Sequence, residues 1–179
     1  MQVGLPDGAS IRELESDPSV ESLSAVNPGS DPFVLLEGMI VDGGWQHRAL
    51  VHSVLVPAGA VDVRLSVRCV EQGRWSGEGE QRVSSLRAPL GIRGANRGIR
   101  PDGRRDRHAD QHDVWSRVAA YEQRHGASAT NSMVDVFSNI EIDDGLLRRV
   151  PRALPGQRGV LVGIAGHPAL LEAFEDADV

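Results

Sequence analysis

The sequence predicts an α+β domain: an antiparallel, β-rich core of meander or sandwich type in the first half, and helices mainly in the second. Three observations carry this expectation. Strand-like runs before residue 72 follow one another through short Gly/Pro turns, with no helical segment between them to make a parallel crossover. From Val61 to Glu71 the chain alternates, so that Val61, Val63, Leu65, Val67, Cys69 and Glu71 share one face. After residue 110 the apolar spacing changes to that of a helix.

The elements follow in order. Residues 1–19 are acidic and punctuated by Pro and Gly, and read as an arm or a first strand; residues 20–179 read as a single domain. Val20–Val26 is a strand closed by Asn27-Pro28-Gly29-Ser30-Asp31-Pro32, a strong turn signal. Phe33–Glu37 is a short apolar strand, and Asp42-Gly43-Gly44 turns the chain again. Trp45–Val56 reads as one long strand, and Pro57-Ala58-Gly59-Ala60 leads into Val61–Glu71. Ser84-Ser85-Leu86-Arg87 reads as the opening of a short helix. The segment 82–107 is rich in Arg and Gly and reads as a mobile loop. Asp110–His125 is a helix with Val114, Val118 and Tyr121 on one side, stopped by Gly126. Met133–Ile140 fits either a strand or a helix. Asp143–Val150 is a short helix, Arg158–Ala165 a buried strand, and Pro168 to about Phe174 a final helix.

Composition narrows the function classes. The chain has 179 residues, is 40% hydrophobic and carries a net charge of −6, so it can bury a core and is a poor partner for nucleic acid. All its basic residues besides histidine are Arg; without Lys, Schiff-base chemistry is excluded. One cysteine, no basic or apolar leader and no run of about 20 apolar residues predict a cytoplasmic protein without a membrane span. No P-loop, dinucleotide fingerprint, nucleophile elbow or paired-cysteine motif is present, and the motifs leave the cofactor unknown.

The residues that carry chemistry gather around Cys69–Trp75. Glu71 ends an apolar strand face beside Arg74 and Trp75. Such a carboxylate serves either as an acid/base with the arginine holding an anionic substrate, or as half of an ion pair fixing the strand end. Gln46 and Arg48 share a face of the preceding strand, and the Pro57–Ala60 turn brings Arg48 level with Cys69 or Glu71. Glu71 is therefore expected to be mostly buried and in contact with Arg48 or Arg74. In a regular strand His47 points the other way, as a surface histidine or an acid/base group. Cys69 alternates with Leu65 and Val67 and reads as a small buried hydrophobe. His108 and His112 stand four apart, but without a third ligand they assign no metal site.

The segment Val34–Trp75 resembles the core of the ARG and Rhodanese-Phosphatase-superfamily-associated Protein domain, where ARG stands for ADP-ribosylglycohydrolase. The similar motifs are Leu35-Leu36-Glu37-Gly38, Gly43-Gly44 followed by Gln46 and Arg48, Leu55-Val56-Pro57-Ala58-Gly59, and Cys69–Trp75. Ser85-Leu86-Arg87, Gln111 with Val114-Trp115, and Leu154-Pro155-Gly156-Gln157 extend it along most of the chain. Met39, Trp45 and His47 stand where the family pattern usually has an acid, a lysine and an asparagine. The resemblance implies a compact α+β domain associated with ADP-ribose and phosphate chemistry. It implies an anionic small-molecule ligand such as an ADP-ribose-like nucleotide. Glu71, Arg74 and Arg48 become catalytic candidates, and Gln46, His47, Trp75, Arg87 and Gln111 substrate-binding candidates. The alternatives are a binding or scaffold module docking an acidic partner, or a divergent enzyme of specialised metabolism. Apolar Leu170, Leu171 and Phe174 on the final helix further predict either a homo-oligomer or a patch covered by the acidic N-terminal arm of the same chain.

Overall fold

The computed structural model describes residues 2–16, 18–77, 81–93, 111–141 and 144–175. Nine strands come first: β1 (Gln2–Val3), β2 (Ser10–Arg12), β3 (Ser22–Val26), β4 (Phe33–Leu35), β5 (Met39–Gly43), β6 (Arg48–Leu50), β7 (Val54–Val56), β8 (Val63–Cys69) and β9 (Gln81–Arg87). Three described helices follow, α1 (Gln111–His125), α2 (Met133–Ser138) and α3 (Asp144–Arg149), then β10 (Gly159–Ile164) and β11 (His167–Ala173). The chain divides into two compact units, Gln2–Ile140 and a second beginning at Glu141.

The first unit is a closed barrel in the order β2-β3-β8-β6-β5-β9, every neighbouring pair antiparallel. The expectation of an antiparallel β-rich core holds; its closure into a barrel goes beyond it. Closure removes the exposed edges of an open meander. Leu65, Val67 and Cys69 of β8 point inward as their alternation predicts, and join Ile11, Leu23, Val41 and Leu50 in the interior. The acidic N-terminal segment supplies β2, with Ile11 wholly buried opposite Ala25 and Gln81. A second apolar cluster lies outside β5 and β6. There Ile40 and Ala49 pack with Val114 and Val118 of α1 and Met133 and Val136 of α2. Gly126 ends α1 at φ +111°, its N–H bonded to Glu122 O.

Several local expectations are corrected. Trp45–Val56 is not one strand. The chain bends at residues 51–53, so β6 belongs to the barrel and β7 to a separate sheet, β1-β4-β7, in which β1 runs parallel to β4. Ser53 Oγ fixes that bend by accepting the Glu37 N–H at 2.9 Å. Ser84–Arg87 opens no helix; it ends β9, which pairs with β5 (Val41 with Val83, Met39 with Arg87). Tertiary pairing wins over a weak local helix signal. The expected loop at 82–107 thus begins as strand, and its residues 94–107 lie outside the described residues.

In the second unit, the helix expected around residues 143–150 is found as α3, Asp144–Arg149. Pro168–Phe174 does not. His167–Ala173 is β11, hairpin partner of β10. The two residues between them, Ala165 and Gly166, have φ of +51° and +82°. Positive φ at both central positions is the tight hairpin turn, and it overrides the helix propensity of Ala-Leu-Leu-Glu-Ala. The helical patch of Leu170, Leu171 and Phe174, on which the oligomer expectation rested, is therefore not formed. β10 is exposed along most of its length, not buried as its apolar run suggests. Among the described residues no helix is long and apolar enough to cross a membrane.

Candidate functional site

β8 delivers Cys69 to the barrel interior and then releases the chain, so Glu71 lands just beyond the barrel end, bridged to Ser132. Its side chain is 3% exposed. The carboxylate accepts four hydrogen bonds: Arg74 Nε at 2.9 Å, Arg74 Nη2 at 2.7 Å, His47 N at 2.9 Å and Thr130 Oγ1 at 2.8 Å. Burial by itself pushes the carboxyl pKa up. Bonding to Arg74, to the His47 N–H and to Thr130 outweighs it and holds the pKa below 4.5. Arg74 is equally engaged. Beyond its two bonds to Glu71, Nη1 donates to Gly44 O and Ser76 O, and Nη2 to Gly43 O. A guanidinium has five N–H donors, and all five are used here. Glu71 and Arg74 thus tie loops 43–47, 72–76 and 128–132 together.

His47 contradicts the strand-based expectation that it faces away. It precedes β6 and lies outside the ladder, so alternation does not govern it. Its Nδ1 stands 2.9 Å from Ser132 Oγ and 3.5 Å from Glu71 Oε2. Burial lowers the imidazole pKa below 6.5, with the Glu71 charge opposing. Ser, His and Glu are therefore side by side, but not as a catalytic triad. A triad needs nucleophile and acid on opposite ring nitrogens, whereas both neighbours here meet Nδ1. Ser132 is also committed as the cap of α2, accepting from Val134 N.

A second polar cluster fills the same end of the barrel from inside. Arg48 pairs with Val41 and Cys69 and points inward with them; its side chain is 0% exposed. Among the described residues its guanidinium makes one hydrogen bond, Nη1 to Gln46 Oε1 at 2.9 Å. Nε and Nη2 are buried and make no hydrogen bond. Of the two arginines expected to meet Glu71, Arg74 does so and Arg48 does not; Gln46 reaches Glu71 from this cluster, donating Nε2 to its carbonyl at 3.0 Å. The nearest carboxylate is Glu13, whose Oε1 lies 3.7 Å from Arg48 Nη2 and accepts Gln81 Nε2 at 3.0 Å. Glu13 Oε2 and Gln81 Oε1 are also buried without partners. Trp75 covers the cluster, its ring centroid 5.6 Å from Arg48 Cζ and 5.2 Å from Trp45, edge to face. Trp75 is 47% exposed.

A family model for the ARG and Rhodanese-Phosphatase-superfamily-associated Protein domain matches residues 1–179. The chain belongs to that family. No curated protein and no solved structure matches it. In this ARG and Rhodanese-Phosphatase-superfamily-associated Protein domain, Gln46, Arg48 and the Cys69–Trp75 stretch converge at one barrel end.

The other candidates lie elsewhere or do other work. Arg87 binds Glu37 O through Nε (3.1 Å) and Nη2 (2.7 Å), fastening the end of β9. Gln111, first residue of α1, accepts the Cys69 N–H at 2.9 Å and donates to Cys69 O at 2.7 Å. Its amide stands in for a neighbouring strand. Cys69 is buried, and burial raises its pKa. His108 lies outside the described residues, and among those described no cluster of three or more His, Cys, Asp or Glu could hold a metal. An open pocket of about 360 Å³ beside Glu13 is lined by Arg12, Asp62 and Arg64. Those three are bonded to Glu15, Ser24 and Ser22 respectively. Sequence reasoning missed Glu13, Gln81, Thr130 and Ser132. Glu13 was findable, because it stands two residues after apolar Ile11 and so on the same strand face.

Proposed function

We propose that this domain is a small-molecule-binding module whose site is the Arg48 end of the barrel. The Glu71–Arg74 pair, with its donors and acceptors filled, holds the loops that frame the site. The ADP-ribosylglycohydrolase association in the family's name makes ADP-ribose the first probe for a nucleotide-like ligand. One observation carries the reading: the guanidinium of Arg48 is wholly buried yet makes a single hydrogen bond. Glu13 offsets the charge, but a buried donor left without an acceptor still costs about 1–3 kcal/mol. A ligand that completes those donors recovers part of that cost. Gln46 keeps its substrate-binding role, and Arg48, a catalytic candidate in the sequence, becomes a binding residue. Glu71 and Arg74 become supporting residues, since a base of lowered pKa with four bonds already made is poorly suited to accept a proton.

The test is thermal denaturation with and without millimolar ADP-ribose, followed by titration calorimetry, since a ligand of the native state raises its melting temperature. Wild type should be stabilised. Arg48→Gln should lose the response while keeping the wild-type circular dichroism spectrum. Arg74→Lys should melt lower but still respond. A response that survives in Arg48→Gln, or no response in wild type, contradicts the proposal.

A further inference from the structure

The unpartnered atoms around Arg48 form a pattern with chemical content. Arg48 Nε and Nη2 are donors; Gln81 Oε1 and Glu13 Oε2 are acceptors. They belong to one contiguous cluster, because Glu13 Oε1 lies 3.7 Å from Arg48 Nη2 and accepts the Gln81 amide at 3.0 Å. We infer that the group seated against Arg48 is a neutral planar edge carrying an acceptor beside a donor, a carboxamide or nucleobase edge, and not a phosphate or carboxylate. This rests on the proposal that the Arg48 end binds a ligand, and names which part of the ligand enters.

Three features support it. The guanidinium fork presents Nε–H and Nη2–H side by side, so it takes an acceptor on the incoming edge. An adjacent N–H of that edge finds Gln81 Oε1 or Glu13 Oε2, which an all-acceptor oxyanion cannot satisfy. Charge points the same way. Glu13 lies beside Arg48 and offsets its charge, so a phosphate seated there meets a carboxylate oxygen at close range. Finally, the cover is aromatic. Trp75 lies against Arg48 and is half exposed, in a segment outside any strand. Swinging that indole off Arg48 opens the cluster, and its face then stacks on the entering ring. Phosphates of such a ligand stay outside the barrel end.

The experiment compares four probes by melting temperature and tryptophan fluorescence: adenosine, nicotinamide, ribose 5-phosphate and inorganic phosphate. Adenosine or nicotinamide should stabilise wild type and change its fluorescence, while inorganic phosphate and ribose 5-phosphate should not. Gln81→Met should bind the effective probe at least tenfold more weakly. Glu13→Gln, at a largely buried loop position, should lose selectivity and become stabilised by phosphate. If phosphate or ribose 5-phosphate stabilises wild type in an Arg48-dependent way and the two neutral probes do not, this inference is overturned while the binding proposal stands. If none of the four probes nor ADP-ribose binds, both fall.

Discussion

Replacing Glu71 by Gln tests the physical account of the barrel mouth most sharply. The carboxylate offers four acceptor positions and all four are occupied. Glutamine keeps the shape but offers one oxygen, and its NH2 must face N–H donors of Arg74 or His47. Arg74 then loses its counter-charge, although Gly43, Gly44 and Ser76 still accept from it. Breaking one side of a buried pair costs about 3–5 kcal/mol. Arg74 is one-quarter exposed, which argues for the lower end, about 3 kcal/mol. For a chain of this size that is a fall in melting temperature of roughly 6–12 °C. Urea unfolding of wild type, Glu71→Gln, Arg74→Met and the double variant measures it. The double variant should cost well under the sum of the singles. The sign with pH is also fixed. The folded carboxyl pKa lies below 4.5, so Glu71 stabilises fully above the unfolded value, and that stability disappears as pH falls through the lowered folded value. Glu71→Gln should lack this acid-dependent part. A loss below about 1 kcal/mol, the range of an exposed ion pair, would refute the reasoning.

Other outcomes follow from the same geometry. His47 resists protonation in the folded state, so wild type should lose stability as pH drops below 6.5, and His47→Asn should flatten that slope in urea midpoints at pH 7.5 and 5.5. Cys69 should react with a thiol reagent only as fast as the protein opens, because burial both shields it and raises its pKa. Gln111→Ala should cost about 1–3 kcal/mol by leaving the Cys69 backbone groups unpaired, read out by chemical denaturation. Gly44→Ala should destabilise, since φ is +49° and a Cβ there runs into the Gln81 amide. Its melting temperature checks this.

The sequence made the barrel's inner face legible where alternation was strict. Leu65, Val67 and Cys69 point inward, and Arg48 lies level with Cys69 as the turn at Pro57–Ala60 implied. It was silent where tertiary geometry decides. Nothing local says that β6 and β7 part company at residue 51, because the switch serves closure of the barrel. The Ala165-Gly166 turn was hidden by a helix-forming segment after it. At the site, Glu71 and Arg74 were visible as neighbours in sequence. Glu13, 58 positions before Glu71, was hidden because it sat in a stretch read for its net charge instead of its strand face. Side-chain satisfaction, which separates Arg74 from Arg48, depends on carbonyls and amides from distant loops and cannot be read from a one-dimensional pattern.

The most direct measurement is a side-chain 1H–15N spectrum of the arginine Nε groups during titration with ADP-ribose. The account predicts that the Arg48 Nε resonance moves in proportion to binding while Arg74, whose donors are already engaged, stays in place. Movement of Arg74 with Arg48 unchanged would contradict it and return the site to Glu71 and Arg74.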